Sequence, residues 1–282
     1  PDWPHRPLLA EVADHLTAAI AGLTPAELTD IDESILRAPV HLVWRLQEVA
    51  EAGRAITVGR GLGDLAERVL GSDHPATLTS RNNLAGAYES AGDLTRAIPL
   101  YEAALADRER VLGPDHPDTL TSRNNLAGAY RAAGDLTRAI ALYEATLADS
   151  ERVLGPDHPD TLTSRNDLAG AYRAAGDLTR ALPLYEATLT DSERVLGPDH
   201  PDTLTSRNNL AGAYRAAGDL TRAIPLYEAT LADRERVLGP DHPDTLTSRN
   251  NLAGAYRAAG DLTRAIPLYE ATLADRERVL GP

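Results

Sequence analysis

The feature that most constrains the fold of this chain is a repeat: residues 200–240 and 242–282 are the same 41 amino acids. Three near-copies precede them at a fixed spacing of 42 residues, starting at His74, His116 and His158. One unit of this length cannot bury its apolar face alone, so neighbouring units must stack on one another. The sequence therefore predicts a solenoid of stacked repeats, an architecture that presents an extended concave surface for binding.

Composition excludes several classes of function. The formal net charge of −14 argues against general binding to nucleic acid or to anionic membranes, because both need a basic footprint. The chain holds no Lys, which removes P-loop nucleotide sites and Schiff-base chemistry. It also holds no Cys, which removes disulfides, thiolate nucleophiles and Cys-zinc sites. We therefore expect no cofactor, no metal, no nucleic acid and no membrane among its ligands.

The absence of Cys and of long apolar runs also bears on the cellular compartment of the protein. The absence of Cys fits a reducing cytosol, and no apolar run approaches the ~20 residues needed to span a bilayer. We expect a cytoplasmic protein. Because the chain holds no Met, we further expect a processed chain or a piece of a longer one.

The first helix of each unit, which we call the A helix, is read most clearly in residues 116–157. Pro117 and the following Asp118-Thr119 indicate a helix start, with Asp or Thr as the cap. Apolar residues recur at helical spacing from there to about Ala133. They are Leu120, Leu126, Ala127 and Tyr130.

The second helix, the B helix, follows a turn at Gly134-Asp135, where Gly supplies the left-handed residue and Asp caps the next helix. Its apolar stripe is Leu136, Ala139, Ile140, Tyr143, Leu147, Val153 and Leu154. Gly155-Pro156 ends it. Each unit is thus an antiparallel helix pair, in which small alanines lie at the helix crossings. Two tyrosines, Tyr130 and Tyr143, fill the space between layers.

These residues carry a family resemblance. Leu126, Ala127, Tyr130, Gly134, Ala139 and Tyr143 match the tetratricopeptide-repeat pattern at its spacing. With NNLA in the A helix and ERVLGPDHPDT at the junction, the chain resembles the 42-residue repeats of kinesin light chain and their bacterial relatives. The resemblance implies an all-α fold: a right-handed α-solenoid of stacked antiparallel helix pairs, the TPR superhelix, with an N-terminal helical cap. Arg-rich, Lys-free repeats favour a GC-rich bacterium as the source, an actinobacterium.

The same register divides the chain. Residues 74–282 hold five units: 74–115, 116–157, 158–199, 200–241 and 242–282. Residues 32–73 are a degenerate unit, in which Pro39 delays the A helix and three glycines loosen the B helix. The segment GRGLG there resembles a phosphate loop, but it follows no predicted strand and contains no Lys. A helix of a degenerate repeat is therefore the favoured interpretation. Residues 1–31 form the cap, with amphipathic helices at 8–21 and 25–36.

The resemblance implies that A helices line the inner surface, where similar repeats contact peptides. Two asparagines per unit fall on the A-helix positions that do not face the core, with one aspartate as an exception. An Asn amide both donates to and accepts from an extended peptide backbone. The predicted contacts are Asn82, Asn83, Asn124, Asn125, Asn166, Asp167, Asn208, Asn209, Asn250 and Asn251.

An arginine follows these positions in four units, at Arg131, Arg173, Arg215 and Arg257, whereas the first full unit has Glu89. A locally positive groove favours an acidic peptide through charge-assisted hydrogen bonds. The alternative is that the arginines pair with acids of the next helix and the amides bond to neighbouring backbone. A glycine in the middle of each A helix, such as Gly128, costs ~1 kcal/mol against Ala and indicates close approach of a helix or a ligand.

Two functional interpretations stay open at this point. The first is a protein-interaction module that binds an extended, acidic peptide; the resemblance adds a role as sensor or regulatory part of a larger signalling protein. The second is a structural scaffold that associates with itself through an apolar C-terminal end. An enzyme finds no support, because no Ser-His-Asp or paired-carboxylate arrangement stands out. The recurring His-Pro-Asp is interpreted as helix-start chemistry, not as a metal site.

Overall fold

The computed structural model describes residues 6–22, 43, 46 and 52–280, and these form twelve α-helices without a strand. The all-α prediction is confirmed for them. The helices are α1 (Arg6–Gly22), α2 (Ala52–Leu70), α3 (Pro75–Ser90), α4 (Leu94–Leu112), α5 (Pro117–Ala132), α6 (Leu136–Val153), α7 (Pro159–Ala174), α8 (Leu178–Val195), α9 (Pro201–Ala216), α10 (Leu220–Val237), α11 (Pro243–Ala258) and α12 (Leu262–Leu280). The predicted helix at 25–36 lies outside the described residues.

The chain divides into two compact units, residues 4–135 and residues 136–282. In the first, α1 packs on α2, and α2, α3 and α4 each pack on the next helix in the chain. In the second, α6 to α11 do the same, and α9 also contacts the A helices on both sides of it, α7 and α11. In both units consecutive helices stack as the repeats require, with A helices (α3, α5, α7, α9 and α11) alternating with B helices (α4, α6, α8, α10 and α12).

Each A helix begins with a histidine cap, and here the prediction of an Asp or Thr cap is wrong. His200 is the N-cap of α9, and its Nδ1 accepts a hydrogen bond from the backbone N–H of Asp202 at 3.2 Å. Pro201 then takes the first helical position, where its missing N–H costs no intrahelical bond. The recurring His-Pro-Asp is therefore helix-start chemistry, as the sequence indicated.

The turn between A and B helices has the predicted chemistry. After α9, Gly218 adopts a φ of +78°, which favours glycine, and the N–H of Asp219 donates to the carbonyl of Tyr214 at 2.9 Å. The Asp219 side chain then caps α10 by accepting from the N–H of Arg222 at 3.1 Å. The same residues therefore end one helix and begin the next, which fixes the antiparallel pair.

The core of each pair combines small residues with one large aromatic side chain. Ala211, Ala213 and Ala223 are 0% exposed, so α9 and α10 approach closely. Tyr227 is 1% exposed and is among the largest fully buried side chains. Because its bulk fills the space beside these alanines, the tyrosines act as packing residues, as predicted.

The B helices also bury polar side chains that the apolar stripe did not include. Thr230 is 0% exposed, and its hydroxyl donates to the carbonyl of Leu226 at 2.7 Å. One turn later Arg234 is 3% exposed. Its Nη1 donates to the carbonyl of Asp244 at 3.0 Å and to the Ser248 hydroxyl at 2.9 Å, and its Nη2 donates to Thr205 at 2.9 Å. One guanidinium thus ties α10 to α9 and α11.

The degenerate segment is helical at residues 43, 46 and 52–70. Helix α2 runs without a break through the GRGLG segment, so the predicted loosening by its glycines does not interrupt it. The buried cluster here joins Ala13 of α1, Val43, Leu46 and residues of α2. Among the described residues, no helix combines the length and apolar character that crossing a bilayer requires.

Candidate functional site

The predicted asparagines form a hydrogen-bonded ladder across adjacent A helices in residues 136–280. Asn209 Nδ2 of α9 donates to Asn166 Oδ1 of α7 at 3.3 Å. Asn251 Nδ2 of α11 donates in the same way to Asn208 Oδ1 of α9 at 3.2 Å. The second asparagine of one unit therefore binds the first asparagine of the unit before it. The amides bond to one another, which neither the groove interpretation nor its alternative predicted.

The predicted site residues differ in exposure. Asn82 and Asn208 are buried at 8% and 9% exposure, and Arg257 is exposed. All the other predicted residues are half-buried: Asn83, Asn124, Asn125, Asn166, Asp167, Asn209, Asn250, Asn251, Arg131, Arg173 and Arg215. In residues 4–135 the buried Asn82 accepts a hydrogen bond from the Ser122 hydroxyl at 3.3 Å. Apart from Asn82 and Asn208, the predicted asparagines thus keep some accessible surface, and so do the four arginines.

The mid-helix glycines make room for the arginines. A Cβ on Gly254 of α11 would lie 2.8 Å from Nη1 of Arg215 in α9, and one on Gly212 would lie 3.6 Å from Nη1 of Arg173 in α7. Arg215 Nη1 also donates to the carbonyl of Asn251 at 3.5 Å. Arg173 and Arg215 therefore each lie across the next A helix at its glycine. The close approach that the glycine predicted is made by a side chain of the neighbouring helix.

A buried tyrosine of the B helix lies beneath this row. The hydroxyl of Tyr227 would be 3.3 Å from a Cβ on Gly212, and the guanidinium carbon of Arg215 lies 5.9 Å from its ring centroid. Burial raises the pKa of the Tyr227 phenol, and the nearby Arg215 and Arg173 oppose that shift. The phenol stays neutral, so it supplies no charge that would neutralise the arginines above it.

The first full unit differs at this position, as its sequence indicated. Glu89 accepts a hydrogen bond from the Tyr101 hydroxyl at 2.9 Å. Burial raises the pKa of Glu89, whereas that hydrogen bond and the positive charge of Arg131 lower it. In residues 4–135 the groove arginine therefore has a carboxyl group nearby, and we expect it to attract an anion less strongly.

Many arginines elsewhere in residues 136–280 are held by acids. Arg207, on another face of α9, contacts Glu193 at 3.1 Å and Asp233 at 2.7 Å. In the described part of the chain, by contrast, Arg173, Arg215 and Arg257 have no carboxylate within ion-pair distance. The alternative prediction, that these arginines pair with acids of the next helix, is wrong for the three. A row of guanidinium groups without acid partners is a surface suited to a ligand carboxylate.

The comparisons with known proteins agree with the helical-repeat fold. A model of the tetratricopeptide repeat matches overlapping stretches at 64–109, 82–148, 123–190, 167–235 and 208–278. The chain belongs to the tetratricopeptide repeat family. The comparison with curated proteins finds no match.

Solved tetratricopeptide structures are similar over most of the chain. The nearly identical TPR-like repeats of a kinesin light chain protein from Podosopora anserina are 35% identical, with a TM-score of 0.58, and cover 73% of this chain and 97% of that one. BtubC (BKLC) from P. vanneervenii is 25% identical, with a TM-score of 0.60, and the match covers 85% of this chain and 93% of that one. A Rap protein complexed with competence and sporulation factor shares the fold alone, because its sequence is only 12% identical. Its TM-score is 0.66, and the match covers 96% of this chain and 71% of that one. The kinesin-light-chain-like resemblance is thus confirmed.

Tetratricopeptide repeats are in general non-enzymatic modules for protein–protein interaction, and this chain has that architecture. Its A helices carry the amides and the guanidinium groups, whereas its B helices supply the packing. Among the described residues, no three His, Asp or Glu side chains gather as a metal site. The surface formed by the asparagines and arginines of α7, α9 and α11, which we call the Asn/Arg surface, is therefore the candidate site.

Proposed function

We propose that this chain binds an extended peptide with acidic side chains on its Asn/Arg surface. The observation that carries the proposal is the row Arg173, Arg215 and Arg257, which lacks carboxylate partners in the described part of a chain whose net charge is −14. Such a row attracts anions while the rest of the molecule repels them, which favours one orientation of an incoming acidic peptide.

The asparagine ladder supports a role in holding the peptide main chain. Each amide offers two donor hydrogens and an acceptor oxygen with two lone pairs. The bond from Asn251 to Asn208 uses one hydrogen of the first and one lone pair of the second. The half-buried Asn251 keeps one donor and its own oxygen, and its orientation is set by the ladder. A pre-oriented amide loses less conformational entropy on binding than a free one.

The test uses two synthetic peptides of twelve residues, one with four Glu and one with four Gln at the same places, each labelled for fluorescence anisotropy. We expect the Glu peptide to bind more tightly and to lose affinity as salt rises. Replacement of both Arg173 and Arg215 by Ala should weaken its binding about tenfold or more, a change of roughly 1.4 kcal/mol or above.

The matched control keeps the net charge equal. Arg194→Ala with Arg236→Ala removes two arginines that pair with Asp157 and Asp199 at the unit junctions, away from the A-helix asparagines. This variant should bind the Glu peptide like the unchanged chain. Equal losses in both double variants, or equal affinity for the Glu and Gln peptides, would contradict the proposal.

We further propose that the chain is the sensor or regulatory part of a larger signalling protein. Support comes from its membership of an interaction-module family and from its resemblance to arrays that follow signalling domains. The full reading frame tests this: an adjoining signalling domain supports it, and a protein made of repeats alone contradicts it.

A further inference from the structure

The arginines of the Asn/Arg surface recur with the step of the A helices. Nη1 of Arg173 lies 3.6 Å from the place of a Cβ on Gly212, and Nη1 of Arg215 lies 2.8 Å from that of a Cβ on Gly254. Gly212 and Gly254 are equivalent residues of α9 and α11, 42 positions apart. The two guanidinium groups therefore lie at the same place on successive A helices, and the distance between these helices sets the distance between the charges.

The step from one A helix to the next is short. Cα atoms of α7 approach those of α9 to within 8 Å, and those of α9 approach α11 to within the same distance. The axes of packed helices lie about 8–10 Å apart. Carboxylates that meet successive arginines must therefore recur at about this spacing along the bound peptide.

One extended conformation has this spacing on one side of the chain. A polyproline II helix has three residues per turn and rises about 3.1 Å per residue, so every third side chain points the same way at intervals of about 9 Å. In a β-strand every second side chain shares a face, at intervals of about 7 Å or, for every fourth, about 13 Å. The step of the A helices matches the polyproline II turn and neither of the β-strand intervals.

The asparagine ladder has the same step and supplies main-chain contacts. Asn209 and Asn251 are each oriented by a hydrogen bond to an asparagine of the preceding unit, at 3.3 and 3.2 Å. Arg215 donates to the carbonyl of Asn251 at 3.5 Å, so guanidinium and amide lie next to each other on α11. A polyproline II chain makes no internal hydrogen bonds, which leaves its N–H and C=O groups available to such amides.

We propose that the Asn/Arg surface selects a peptide in the polyproline II conformation that carries an acidic residue at every third position, a specificity that rests on the proposed function of binding acidic peptides. Each A-helix step holds one turn of the peptide. The arginine binds the carboxylate of that turn, and the asparagine amide binds its main chain. The two other side chains of the turn point away from the arginine, so their identity is not read by it.

The first experiment uses the whole chain and labelled peptides of eleven residues with three Glu and eight Ser, which differ only in order. Glu occupies every second, every third or every fourth position about a common middle Glu, and an all-Ser peptide with three Gln is the uncharged reference. In fluorescence anisotropy we expect the every-third peptide to bind about fivefold more tightly than the other two Glu peptides, because it alone reaches three arginines at once.

The outcomes separate this specificity from the proposed function. Equal affinity of the three Glu peptides, each above that of the Gln peptide, would overturn the spacing and leave the binding of acidic peptides standing. Tightest binding by the every-second or every-fourth peptide would also overturn the spacing. No preference for Glu over Gln would overturn both.

A double-substitution cycle locates the middle carboxylate. Arg215→Ala should weaken binding of the every-third peptide about fivefold, yet change binding of the same peptide with its middle Glu replaced by Gln by less than about twofold. Both peptides are measured on each protein, so a folding defect would lower both affinities alike. Arg236→Ala, which removes an arginine paired with Asp199, is the control and should weaken neither. Equal losses for the two peptides on Arg215→Ala would overturn the proposal.

Discussion

The guanidinium of Arg215 lies against the backbone of Gly254, one repeat further along, so closely that a Cβ at Gly254 would come within 2.8 Å of its Nη1. This contact explains a glycine in the middle of a helix, where it costs about 1 kcal/mol relative to alanine. The glycine gives up helix stability to seat the arginine beside the carbonyl of Asn251. Glycine at position 254 therefore lowers the stability of the helix while it makes room for an arginine of the candidate site.

That opposition predicts the effect of Gly254→Ala. The atom nearest to the added methyl group is the end of a flexible side chain, so Arg215 can rotate away. We expect the free energy of unfolding in urea to rise by up to about 1 kcal/mol, while the affinity for the Glu peptide falls. The control Gly260→Ala, at a φ of +79°, should instead lose about 1 kcal/mol or more. A loss of several kcal/mol in Gly254→Ala would show that Arg215 cannot move.

The histidine caps predict a second result. His200→Ala removes the acceptor for the N–H of Asp202, and we expect a loss of about 1 kcal/mol in the free energy of unfolding. His200→Asn should recover most of this, because Asn is a strong N-cap residue. Thermal unfolding of the three proteins at pH 7 measures both effects. Equal stability of the Ala and Asn variants would mean that the cap hydrogen bond contributes nothing.

Local chemistry explains what the sequence could predict. The turn at Gly218-Asp219 was foreseeable because its determinants are adjacent in the chain. The His200 cap was missed because Asp202 and Thr203, which are commoner cap types, follow two and three residues later. Burial of Arg234 was missed because arginine is usually a surface residue. The contact of Arg215 with Gly254 joins residues 39 positions apart, and only the packing of α9 on α11 brings them together.

The junction ion pairs predict a response to pH. Hydrogen bonds from Arg236 hold the pKa of Asp199 below its usual value. A depressed folded-state pKa stabilises the fold above the pKa of the unfolded chain, about 3.9, and this contribution is lost as pH falls through the folded value. Thermal midpoints should therefore fall below about pH 4, and Arg236→Gln should make that fall shallower. An identical pH profile for the variant would exclude a contribution from this pair.

The buried arginine of α10 predicts that two opposite substitutions at equivalent positions of α10 and α8 differ in their cost in stability. Arg234→Ser removes three hydrogen bonds and should cost about 1–3 kcal/mol in urea unfolding. Ser192 of α8 occupies the equivalent position and is 1% exposed. Because the residues equivalent to the partners of Arg234 are present around it, Ser192→Arg should cost less than the roughly 1–3 kcal/mol usual for overpacking a core.

A control substitution one turn away tests whether α8 accepts a buried arginine at any position. Thr188, one turn earlier and 0% exposed, has its hydroxyl bonded to the carbonyl of Leu184, and no arginine occurs at this position in any unit. Thr188→Arg should therefore cost more than about 4 kcal/mol, because it buries a charge without partners. If Ser192→Arg cost as much stability as Thr188→Arg, the hydrogen-bonding groups that hold Arg234 would be specific to the junction between α10 and α11. A small cost would show that every junction of this array accepts the same tie between three helices.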